Sequence, residues 1–392
     1  MPAPEQWAAV RAAFTARMSI VTGGPGTGKT ATIRLLCAAA KVQQASIALV
    51  APTGRAARRM AESTGMDATT IHSALGWVPG HGPTVDALRG DLLIVDETSM
   101  ANLELLVTLL RTVGRRTHVV LVGDADQLAP VGAGKPFAEL VEAGAVALLT
   151  HIFRQAAGSM VVRGAHAVRH GEPPSFAPAD GLVRDLFMVE QTDARAALDE
   201  VVSLVTDRLP RHFGVDPLSD IQVFAPVYRG ALGIDALNRR LREALNPDGR
   251  AVLGGRLRLG DKLMLSGRNL HELGLMNGTI LWLVEHREAD EALVVAADGA
   301  MIELPEDEAP RLQLACACSI HKGQGIELPV AVVIAHAAAA GAFFLRREML
   351  YAAMTRARRA TLVVGQRAVV GRAAATPDTA RRHSRLAARL TA

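Results

Sequence analysis

Aromatic residues, cysteines and long apolar segments are all scarce in this chain of 392 residues. Its three cysteines, Cys37, Cys316 and Cys318, are too few for a disulfide framework. Cys316 and Cys318 alternate with alanine in an apolar run, which predicts buried strand residues rather than zinc ligands or redox groups. Although 49% of the residues are hydrophobic, no run reaches the ~18 apolar residues that a membrane-spanning helix needs. These deficits argue against a disulfide-stabilised secreted domain and against a helical membrane protein.

The N-terminus also lacks a recognisable targeting signal. Met1 to Gln6 contain no basic residues ahead of an apolar stretch, so no secretory signal peptide is apparent. We therefore expect a cytoplasmic protein with reduced cysteines and no membrane partner. The net charge is only +4, but the pI of about 9.2 allows a polyanionic partner. The length predicts two or three domains.

The strongest pattern in the chain lies between Ser19 and Thr30. The segment SIVTGGPGTGKT fits G-x-x-x-x-G-K-[ST] and ends in Gly28-Lys29-Thr30. An apolar strand precedes the glycines and a helical segment, Ala31 to Ala40, follows them, which is the context that a phosphate-binding loop requires. Glycines let the backbone approach phosphates, and the amides of the loop and helix start point at the anion. Lys29 is predicted to reach the β- and γ-phosphates of a nucleotide, and Thr30 to bind Mg²⁺.

Adjacent carboxylates end a buried strand further along the chain. The run DLLIV, Asp91 to Val95, is a strand of buried type, and Asp96 and Glu97 follow it directly. With a phosphate loop upstream, Asp96 is predicted to hold Mg²⁺ together with Thr30, directly or through water. Glu97 is predicted to orient and deprotonate the attacking water. An acidic pair stabilised by a helix N-terminus is the structural alternative.

Two further strands of buried type end in polar residues. One ends before Gln127, whose amide can bond both a nucleophilic water and the γ-phosphate, so Gln127 is a candidate sensor of nucleotide state. The other ends before Thr53 and Arg55. Ligands of open α/β sheets bind outside the carboxyl ends of the strands, so a phosphodiester backbone could lie against Thr53 and Arg55. A solvated basic helix start explains these two residues equally well.

The second half repeats the alternation of strands and helices, which predicts a second parallel sheet. From about Gly254 the pattern changes to short strands with Asn-Gly and Asp-Gly turns, which predicts a small antiparallel barrel inserted in the second α/β domain. Leu312 to Ile320 is predicted to be one buried strand, and Met349 to Arg359 a helix. On that helix Arg356 follows an apolar run, where a buried guanidinium needs an anion such as a γ-phosphate. Arg154 follows an apolar run in the same way.

The C-terminal tail, from Arg372 onward, combines arginines with regularly spaced apolar residues, which is typical of an amphipathic helix. Docking of this helix through Leu386 and Leu390 is the preferred interpretation, and nucleic-acid binding is the alternative.

These motifs follow one another in a single order along the chain. From Gln6 to about Gln366 that order resembles the superfamily-1 DNA helicases, and most closely their RecD-like, 5′→3′ branch. The segments that carry the resemblance are GGPGTGKT, IVDETSM, VGDADQLAPVGAG, IFRQ, HKGQGIE and YAAMTRAR. The resemblance implies an α/β protein with two RecA-like parallel-sheet motor domains and a small SH3-like β-barrel inserted in the second. It also implies an ATP hydrolase that uses Mg²⁺ and moves on single-stranded DNA to separate strands at duplex junctions.

The resemblance further implies roles for individual residues. Gln6 resembles the adenine-reading glutamine, and Glu327 resembles the residue near the ribose and γ-phosphate. Arg154 and Arg356 resemble the two arginines that the second motor domain delivers to the nucleotide. The residues expected around the phosphates are Gly24, Gly26, Thr27, Gly28, Lys29, Thr30, Asp96, Glu97 and Gln127. The residues in motifs that contact single-stranded DNA are Thr53, Arg55, His72, His321 and Lys322.

The expected domain boundaries combine the motif order with the changes of pattern along the chain. The first motor domain is expected at 1–150, the second at 151–254 and 313–370, the barrel at 255–312 and a basic C-terminal helix or tail at 371–392.

Departures from the RecD-like pattern leave alternatives open. Relatives often carry a sizeable N-terminal domain, whereas the motor motifs here start at Gln6. The segment that would hold the strand-splitting pin, Gly76 to Gly90, is short, with Trp77 as its only aromatic residue. Alternatives are therefore a DNA-stimulated ATPase subunit that does not unwind alone, within a repair or recombination complex, and an RNA or hybrid helicase. A non-catalytic binding module is disfavoured because every catalytic position is filled. Many relatives also have serine where Gly323 stands.

Overall fold

The computed structural model describes residues 2–78, 81–85, 87–144, 146–149, 158–297, 299–339, 341–378, 386 and 389. The chain divides into two compact units. Unit 1 comprises Met1–Val162 and Asp378–Ala392, and unit 2 comprises Arg163–Pro377. Within the described ranges, no helix has the length and apolar character needed to cross a membrane.

Unit 1 is an α/β unit in which helices alternate with parallel strands. Its described strands are β1 (Met18–Thr22), β2 (Ile47–Ala51), β3 (Thr69–Thr70), β4 (Leu92–Val95), β5 (His118–Gly123) and β6 (Val146–Leu148). The described helices are α1 (Pro4–Thr15), α2 (Lys29–Val42), α3 (Gly54–Thr64), α4 (Ile71–Ala74), α5 (Leu103–Thr112) and α6 (Pro136–Glu142), and α7 (Met160–Arg169) leads into unit 2. The strand order is β3-β2-β4-β5-β1-β6, and every pairing is parallel.

The apolar runs of these strands follow from burial of the sheet on both faces. In β4, Leu92 and Ile94 pack into one hydrophobic core with residues of α1 and α2, while Leu93 and Val95 pack into a second core with residues of α5. A parallel sheet covered on both sides needs apolar side chains at successive positions, not only at alternate ones. The core thus fixes the strands and leaves their carboxyl ends to carry polar loops.

Unit 2 contains a second parallel sheet and an antiparallel insertion. The parallel sheet has the order β16-β8-β17-β18-β7, in which all pairings are parallel. Its strands are β7 (Leu186–Glu190), β8 (Ile221–Ala225), β16 (Ala317–Ser319), β17 (Leu328–Ala335) and β18 (Ala357–Gly365). The described helices are α8 (Ala194–Ser203), α9 (Leu209–Phe213), α10 (Ile234–Leu245), α11 (Gly341–Phe344), α12 (Arg347–Met354) and α13 (Arg367–Ala375). The predicted second parallel sheet is therefore confirmed.

The insertion forms an antiparallel sheet with a core of its own. The strands are β9 (Ala251–Val252), β10 (Leu257–Arg258), β11 (Lys262–Leu265), β12 (Ile280–Arg287), β13 (Ala292–Ala297), β14 (Ala300–Pro305) and β15 (Leu312–Leu314). Five of them pair in the order β14-β13-β12-β11-β15, and β9 pairs with β10. Alternate residues, such as Leu281 with Leu283 and Leu293 with Val295, point into one separate hydrophobic core. The predicted antiparallel insertion is present, and its closure into an SH3-like barrel stays a prediction.

The prediction of one strand over Leu312–Ile320 is wrong. The segment forms two strands, of which β15 belongs to the antiparallel sheet and β16 to the parallel sheet. The buried side chain of Asn238, on α10, holds the crossing point. Its amide nitrogen donates to the carbonyls of Leu314 and Ala317, both at 2.9 Å, and its oxygen accepts from the Ala317 N–H at 2.7 Å. This side chain satisfies the backbone where the chain passes from one sheet to the other.

The predicted helix over Met349–Arg359 is also too long. The helix α12 ends at Met354, and β18 begins at Ala357, so Arg358 and Arg359 lie on a strand. The Thr361 hydroxyl donates to the Met354 carbonyl at 2.9 Å and satisfies one of the carbonyls at the helix end. Arg356 therefore lies in the turn between α12 and β18, rather than inside a helix.

The C-terminal residues that the structure describes pack within unit 1. Leu386 packs against the core formed with α5 and α6, and its N–H donates to Glu139 Oε2 at 3.1 Å. The Lys135 ammonium donates to the Asp378 carbonyl at 3.3 Å. Docking through Leu386 thus agrees with the preferred interpretation, while Leu390 lies outside the described residues.

Candidate functional site

The predicted nucleotide residues of unit 1 meet at one edge of its sheet. Strands β4, β5 and β1 are neighbours, and the loops after their carboxyl ends carry Asp96 with Glu97, Gln127 and the glycine loop, respectively. The Gly23 N–H donates to the Gly123 carbonyl at 3.3 Å, which ties the start of the glycine loop to the end of β5. The edge where ligands bind in open α/β sheets is thus the edge that carries these polar side chains.

The glycine loop leads from β1 to α2 through two left-handed residues. Gly26 has φ of 74° and Gly28 has φ of 80°, a region that residues with a Cβ rarely adopt. The Thr27 hydroxyl donates to the Gly24 carbonyl at 2.8 Å. The Lys29 ammonium folds back over the loop and donates to the carbonyls of Gly23 at 2.6 Å and Gly24 at 3.0 Å. The loop therefore holds a lysine charge directly above its own backbone.

Gln6 connects helix α1 to this loop and is only 2% exposed. Its amide nitrogen donates to the Gly28 carbonyl at 3.2 Å, and its oxygen accepts from the Ala3 N–H at 3.0 Å. The structure thus places Gln6 beside the loop. Its role in reading adenine stays a prediction.

Asp96 and Glu97 lie at the carboxyl end of β4. The Asp96 N–H donates to the Val50 carbonyl at 3.0 Å, and its Oδ1 accepts from the Glu97 N–H at 2.8 Å. Burial, and then the negative charge of Glu97, raise the pKa of Asp96 to about 6. Glu97 has φ of 50°, a left-handed conformation that is uncommon outside glycine. A strained residue of this kind at a strand end is a recurrent feature of functional sites.

The side chain of Glu97 contacts helix α3. Arg59 Nη2 lies 3.2 Å from Glu97 Oε1, and the two side chains are 25% and 15% exposed. The sequence analysis did not single out Arg59 and missed this contact. The one available signal was its spacing from Arg55, because residues four apart share a helix face.

The donor set at this edge fits Mg²⁺. The hydroxyl of Thr30, an exposed residue in the first turn of α2, and the carboxylate of Asp96 are hard oxygen ligands of the kind that Mg²⁺ prefers. Burial and Glu97 raise the pKa of Asp96 to about 6, and a bound cation would favour the ionised carboxylate. Among the described residues, no cluster of three or more His, Cys, Asp or Glu is arranged to hold a metal.

Gln127 follows β5 in a turn, where its N–H donates to the Asp124 carbonyl at 3.2 Å. The side chain of Gln127 is partly exposed at the same sheet edge. This position is compatible with the predicted contact to a nucleotide.

The predicted DNA-contacting residues of unit 1 lie at the starts of α3 and α4. The Thr53 hydroxyl accepts from the Ala56 N–H at 3.3 Å, so Thr53 caps α3, and Arg55 lies in its first turn. His72, in α4, packs edge-on against Trp77 with ring centroids 5.4 Å apart. The helix starts thus have structural partners of their own, and contact with DNA stays a prediction.

The predicted DNA-contacting residues of unit 2 lie between β16 and β17. The Lys322 ammonium donates to Ser266 Oγ at 3.0 Å and to Gln313 Oε1 at 2.9 Å, and it lies 6.0 Å from the centre of the Tyr228 ring. His321 is exposed beside it. The lysine therefore lies between the antiparallel insertion and the half-exposed ring of Tyr228.

The structure leaves no room for a side chain at Gly323, where the resemblance leads us to expect a serine. A Cβ at Gly323 would lie 2.3 Å from Cε1 of Phe224, on the neighbouring strand β8. Real Cβ atoms essentially never approach a heavy atom so closely. The phenylalanine ring occupies the space that a serine side chain would need, so glycine at 323 and phenylalanine at 224 form a matched pair in this chain.

Two predicted nucleotide residues of unit 2 have local partners. Glu327 Oε2 accepts from Arg358 Nε at 3.1 Å and Nη2 at 2.7 Å, a contact that sequence reasoning missed. Arg356 is 7% exposed, and its Nε donates to the Ala352 carbonyl at 3.0 Å. No carboxylate of the described residues lies within salt-bridge distance of Arg356. Arg154 lies outside the described residues.

Comparisons with known proteins cover both units. The family model of the AAA domain matches residues 1–186, and that of the UvrD-like helicase C-terminal domain matches residues 314–364. The first range contains the glycine loop and the carboxylate pair, and the second contains Lys322, Glu327 and Arg356.

Two curated relatives decide the family. The ATP-dependent RecD2 DNA helicase of Deinococcus radiodurans is 34% identical over 87% of this chain. The RecBCD enzyme subunit RecD of Mycolicibacterium smegmatis is 31% identical over 93% of this chain and 71% of that protein. The chain belongs to the RecD family. These identities confirm the resemblance to RecD-like helicases that the motifs indicated. The chain spans only 46% of the length of the Deinococcus protein.

Solved structures of helicases share the fold of this RecD-family chain. The Pif1 helicase of Candida albicans matches with a TM-score of 0.54 at 21% identity, over 94% of this chain and 96% of that one. The Pif1 helicase from Bacteroides in complex with ADP-AlF3 and single-stranded DNA matches with a TM-score of 0.54 at 19% identity, over 93% and 92%. At these identities the likeness concerns the fold alone.

Proposed function

We propose that this RecD-family chain is an ATP-dependent DNA helicase that translocates 5′→3′ on single-stranded DNA. The observation that carries the proposal is the meeting of Lys29, Asp96, Glu97 and Gln127 at one sheet edge. The relatives of RecD and RecD2 type support the coupling of this site to DNA. The polarity rests on the resemblance to the 5′→3′ branch.

The reaction is hydrolysis of ATP to ADP and inorganic phosphate. Lys29 would bind the β- and γ-phosphates, and Thr30 and Asp96 would hold Mg²⁺, which would neutralise phosphate charge. Glu97 orients the attacking water and takes its proton as the water oxygen bonds to the γ-phosphorus and the bond to the ADP oxygen breaks. Gln127 donates to the γ-phosphate and responds to its loss. The glycines Gly24, Gly26 and Gly28, with Thr27, line the phosphates, and Gln6 reads the adenine edge.

The proposed helicase mechanism requires two motor domains. We propose two RecA-like motor domains, the second of which would begin at 151 and not at the boundary between the compact units. This second domain would supply Arg154 and Arg356 to the nucleotide site and Glu327 near the ribose. Closure around ATP and reopening after hydrolysis would shift the lobes along DNA in a hinge cycle driven by contacts with the γ-phosphate. The support is the buried guanidinium of Arg356, which has no carboxylate partner among the described residues and calls for an external anion.

The DNA is proposed to contact Thr53, Arg55 and His72 of unit 1 and His321 and Lys322 of unit 2. Because aromatic residues are only 4% of the chain, grip on DNA should depend on phosphate contacts more than on stacking. Tyr228 is an exposed ring beside a predicted contact, since the Lys322 ammonium lies 6.0 Å from its centre.

The antiparallel insertion is proposed to be the SH3-like barrel that the resemblance implies. Its separate hydrophobic core supports a small independent body. The boundaries 1–150, 151–254 with 313–370, 255–312 and 371–392 are proposals as well.

A second candidate is a motor subunit that acts within a larger complex. It is favoured by the relative named RecBCD enzyme subunit RecD, a subunit by its own description. On this alternative the isolated chain hydrolyses ATP on DNA without separating strands.

Strand displacement on tailed duplexes tests the function. We expect ATP-dependent unwinding of a duplex with a 5′ single-stranded tail and little unwinding of one with a 3′ tail. ATP hydrolysis should be stimulated more by polydeoxy than by polyribo strands. Hydrolysis without unwinding would favour the motor subunit, a preference for polyribo strands would favour an RNA helicase, and unwinding from 3′ tails would overturn the polarity.

Gly23→Ala should damage the glycine loop. The added Cβ would lie 2.5 Å from Thr27 Oγ1 and 2.9 Å from the Leu149 carbonyl, so the loop must shift. Overpacking of this kind costs about 1–3 kcal/mol, and we expect a comparable loss in the free energy of unfolding together with weaker ATP binding. Chemical denaturation and equilibrium binding of a fluorescent ATP analogue measure both.

The matched control is Gly371→Ala, because a Cβ at this helical glycine meets no heavy atom within 4 Å. This control should keep ATP binding and should be at least as stable as the wild type. Unchanged ATP binding in Gly23→Ala would show that the loop tolerates a side chain that the observed packing forbids.

A further inference from the structure

Helix α3 connects the predicted DNA contacts to the predicted catalytic carboxylate. The helix begins directly after β2, and β2 pairs with β4, which ends at Asp96 and Glu97. From this helix Arg59 reaches Glu97, with 3.2 Å between Nη2 and Oε1. The contact lies within unit 1 and joins the helix to the residue that is proposed to deprotonate water.

The arginines of α3 point in different directions. Arg55 and Arg59 are four residues apart, so they share one face of the helix. Arg58 lies on another face, where it pairs with Glu62 at 3.1 Å and is 51% exposed. One face therefore carries both a predicted contact with the DNA backbone and the contact with Glu97, while the neighbouring arginine takes part in neither.

We propose that Arg59 is a positioning residue that restrains Glu97 and releases it when DNA binds along the face of α3 that carries Arg55. This inference rests on the proposed function, since it supplies the coupling between DNA and ATP hydrolysis at the same site. Arg59 acts through the carboxylate of Glu97.

The geometry of the Arg59–Glu97 contact would allow Arg59 to exchange Glu97 for another anion. A guanidinium that engages Glu97 Oε1 leaves that oxygen less able to accept a hydrogen bond from the attacking water. The pair has a single contact of 3.2 Å, longer than the 2.7–2.9 Å of strong charge-assisted hydrogen bonds and without the second bond of a bidentate pair. A DNA phosphate at the face of α3 offers the guanidinium another anion, and Glu97 then turns to the water.

Arg59→Gln tests this coupling, because glutamine keeps part of the aliphatic stem and removes the charge. We expect the DNA-free kcat for ATP to rise about fivefold, the factor that corresponds to an ion pair worth ~1 kcal/mol. The kcat at saturating DNA should stay near the wild-type value, so the stimulation by DNA should fall by the same factor. The KM for ATP should not change.

Two further variants separate restraint from general damage. Arg58→Gln removes the neighbouring charge and should leave both rates at the wild-type values. Arg59→Lys keeps a positive charge near Glu97 and should remain closer to the wild type than Arg59→Gln. Affinity for a labelled single-stranded oligonucleotide, measured by fluorescence anisotropy, shows whether any change in stimulation comes from lost DNA binding.

The possible outcomes distinguish the inference from the function on which it rests. An unchanged DNA-free rate in Arg59→Gln, or a fall in both rates, overturns the inference while DNA-stimulated hydrolysis by the wild type upholds the function. A loss of stimulation explained by weaker oligonucleotide binding also overturns it. A wild-type chain that hydrolyses no ATP with or without DNA overturns the proposed function, and the inference with it.

Discussion

Glu97→Gln should lower the DNA-stimulated kcat for ATP hydrolysis by about 10²–10⁴-fold, the range that general-base catalysis contributes. Glutamine has nearly the shape of glutamate, so the strained backbone at this position and the approach of Arg59 can persist. An amide oxygen is a poor proton acceptor, so the variant can hold the water without deprotonating it. Affinity for ATP, measured with a fluorescent analogue, should stay near the wild-type value.

Asp96 is the competing base, and the same variant tests it. Burial and the neighbouring Glu97 raise the pKa of Asp96 to about 6, close to the value that suits a general base near neutral pH. A nearby Mg²⁺ would favour the ionised carboxylate as a ligand and make it a weaker base. If Asp96 takes the proton, Glu97→Gln keeps most of its turnover.

Glu62→Gln is the matched control for the loss of a carboxylate. Glu62 lies on the same helix as Arg59, pairs with Arg58 and is 64% exposed. The control should hydrolyse ATP like the wild type. Phosphate release in single-turnover experiments measures the chemical step, and wild-type release by Glu97→Gln would remove Glu97 from the chemistry.

The parts of the site that lie close together in sequence were predictable. The strand, glycine turn and helix around Lys29 form one local motif, and the apolar run before Asp96 marks the end of a strand. Parallel strands bring their carboxyl ends to one edge, so the meeting of Lys29, Asp96 and Gln127 follows from local patterns and one rule of topology. The family resemblance added the roles of residues that have no local signal, such as Gln6.

The parts that depend on distant side chains were not predictable. The strand over Leu312–Ile320 divides because Asn238, far away in sequence, satisfies the backbone at the crossing point. The contact of Arg59 with Glu97 arises from the packing of α3 near the end of β4. The separation of the two residues along the sequence does not predict this contact. The fit of Gly323, in the turn after β16, to Phe224 of β8 is likewise a contact between residues far apart in sequence. Periodicity shows which face of an element is buried, but not which side chain of another element it meets.

Steric and electrostatic constraints both act at the sheet edge that carries the glycine loop, Asp96 and Glu97. Glycine is required at 23 because of Thr27 and Leu149, and the lysine of the loop lies above its carbonyls. Glu97 has a left-handed backbone conformation and contacts Arg59. Burial is the main cause of the raised pKa of Asp96. Unit 1 is thus proposed to supply phosphate binding, metal ligands and a base. We propose that Arg356 supplies a further cation for the charge that develops on the γ-phosphate.

Arg356→Ala should lower kcat for ATP hydrolysis by about 10³–10⁵-fold, the effect of an arginine that stabilises transition-state charge in other nucleotide hydrolases. The guanidinium lies in the turn after α12 and is 7% exposed. Burial without a carboxylate partner among the described residues leaves its charge to be matched by a phosphate. Because that charge develops mainly in the transition state, the KM for ATP should change far less than kcat.

Controls must separate the loss of a cation from the loss of a buried group. Arg356→Lys keeps the charge without the planar fork and should retain more turnover than Arg356→Ala. Arg367→Ala removes an exposed arginine that pairs with Glu190 at 3.0 Å and should behave like the wild type. Thermal unfolding shows whether Arg356→Ala is folded. A folded Arg356→Ala with wild-type kcat would mean that unit 2 contributes no arginine at this position, and the proposal of a nucleotide site completed by two lobes would then lose its main support.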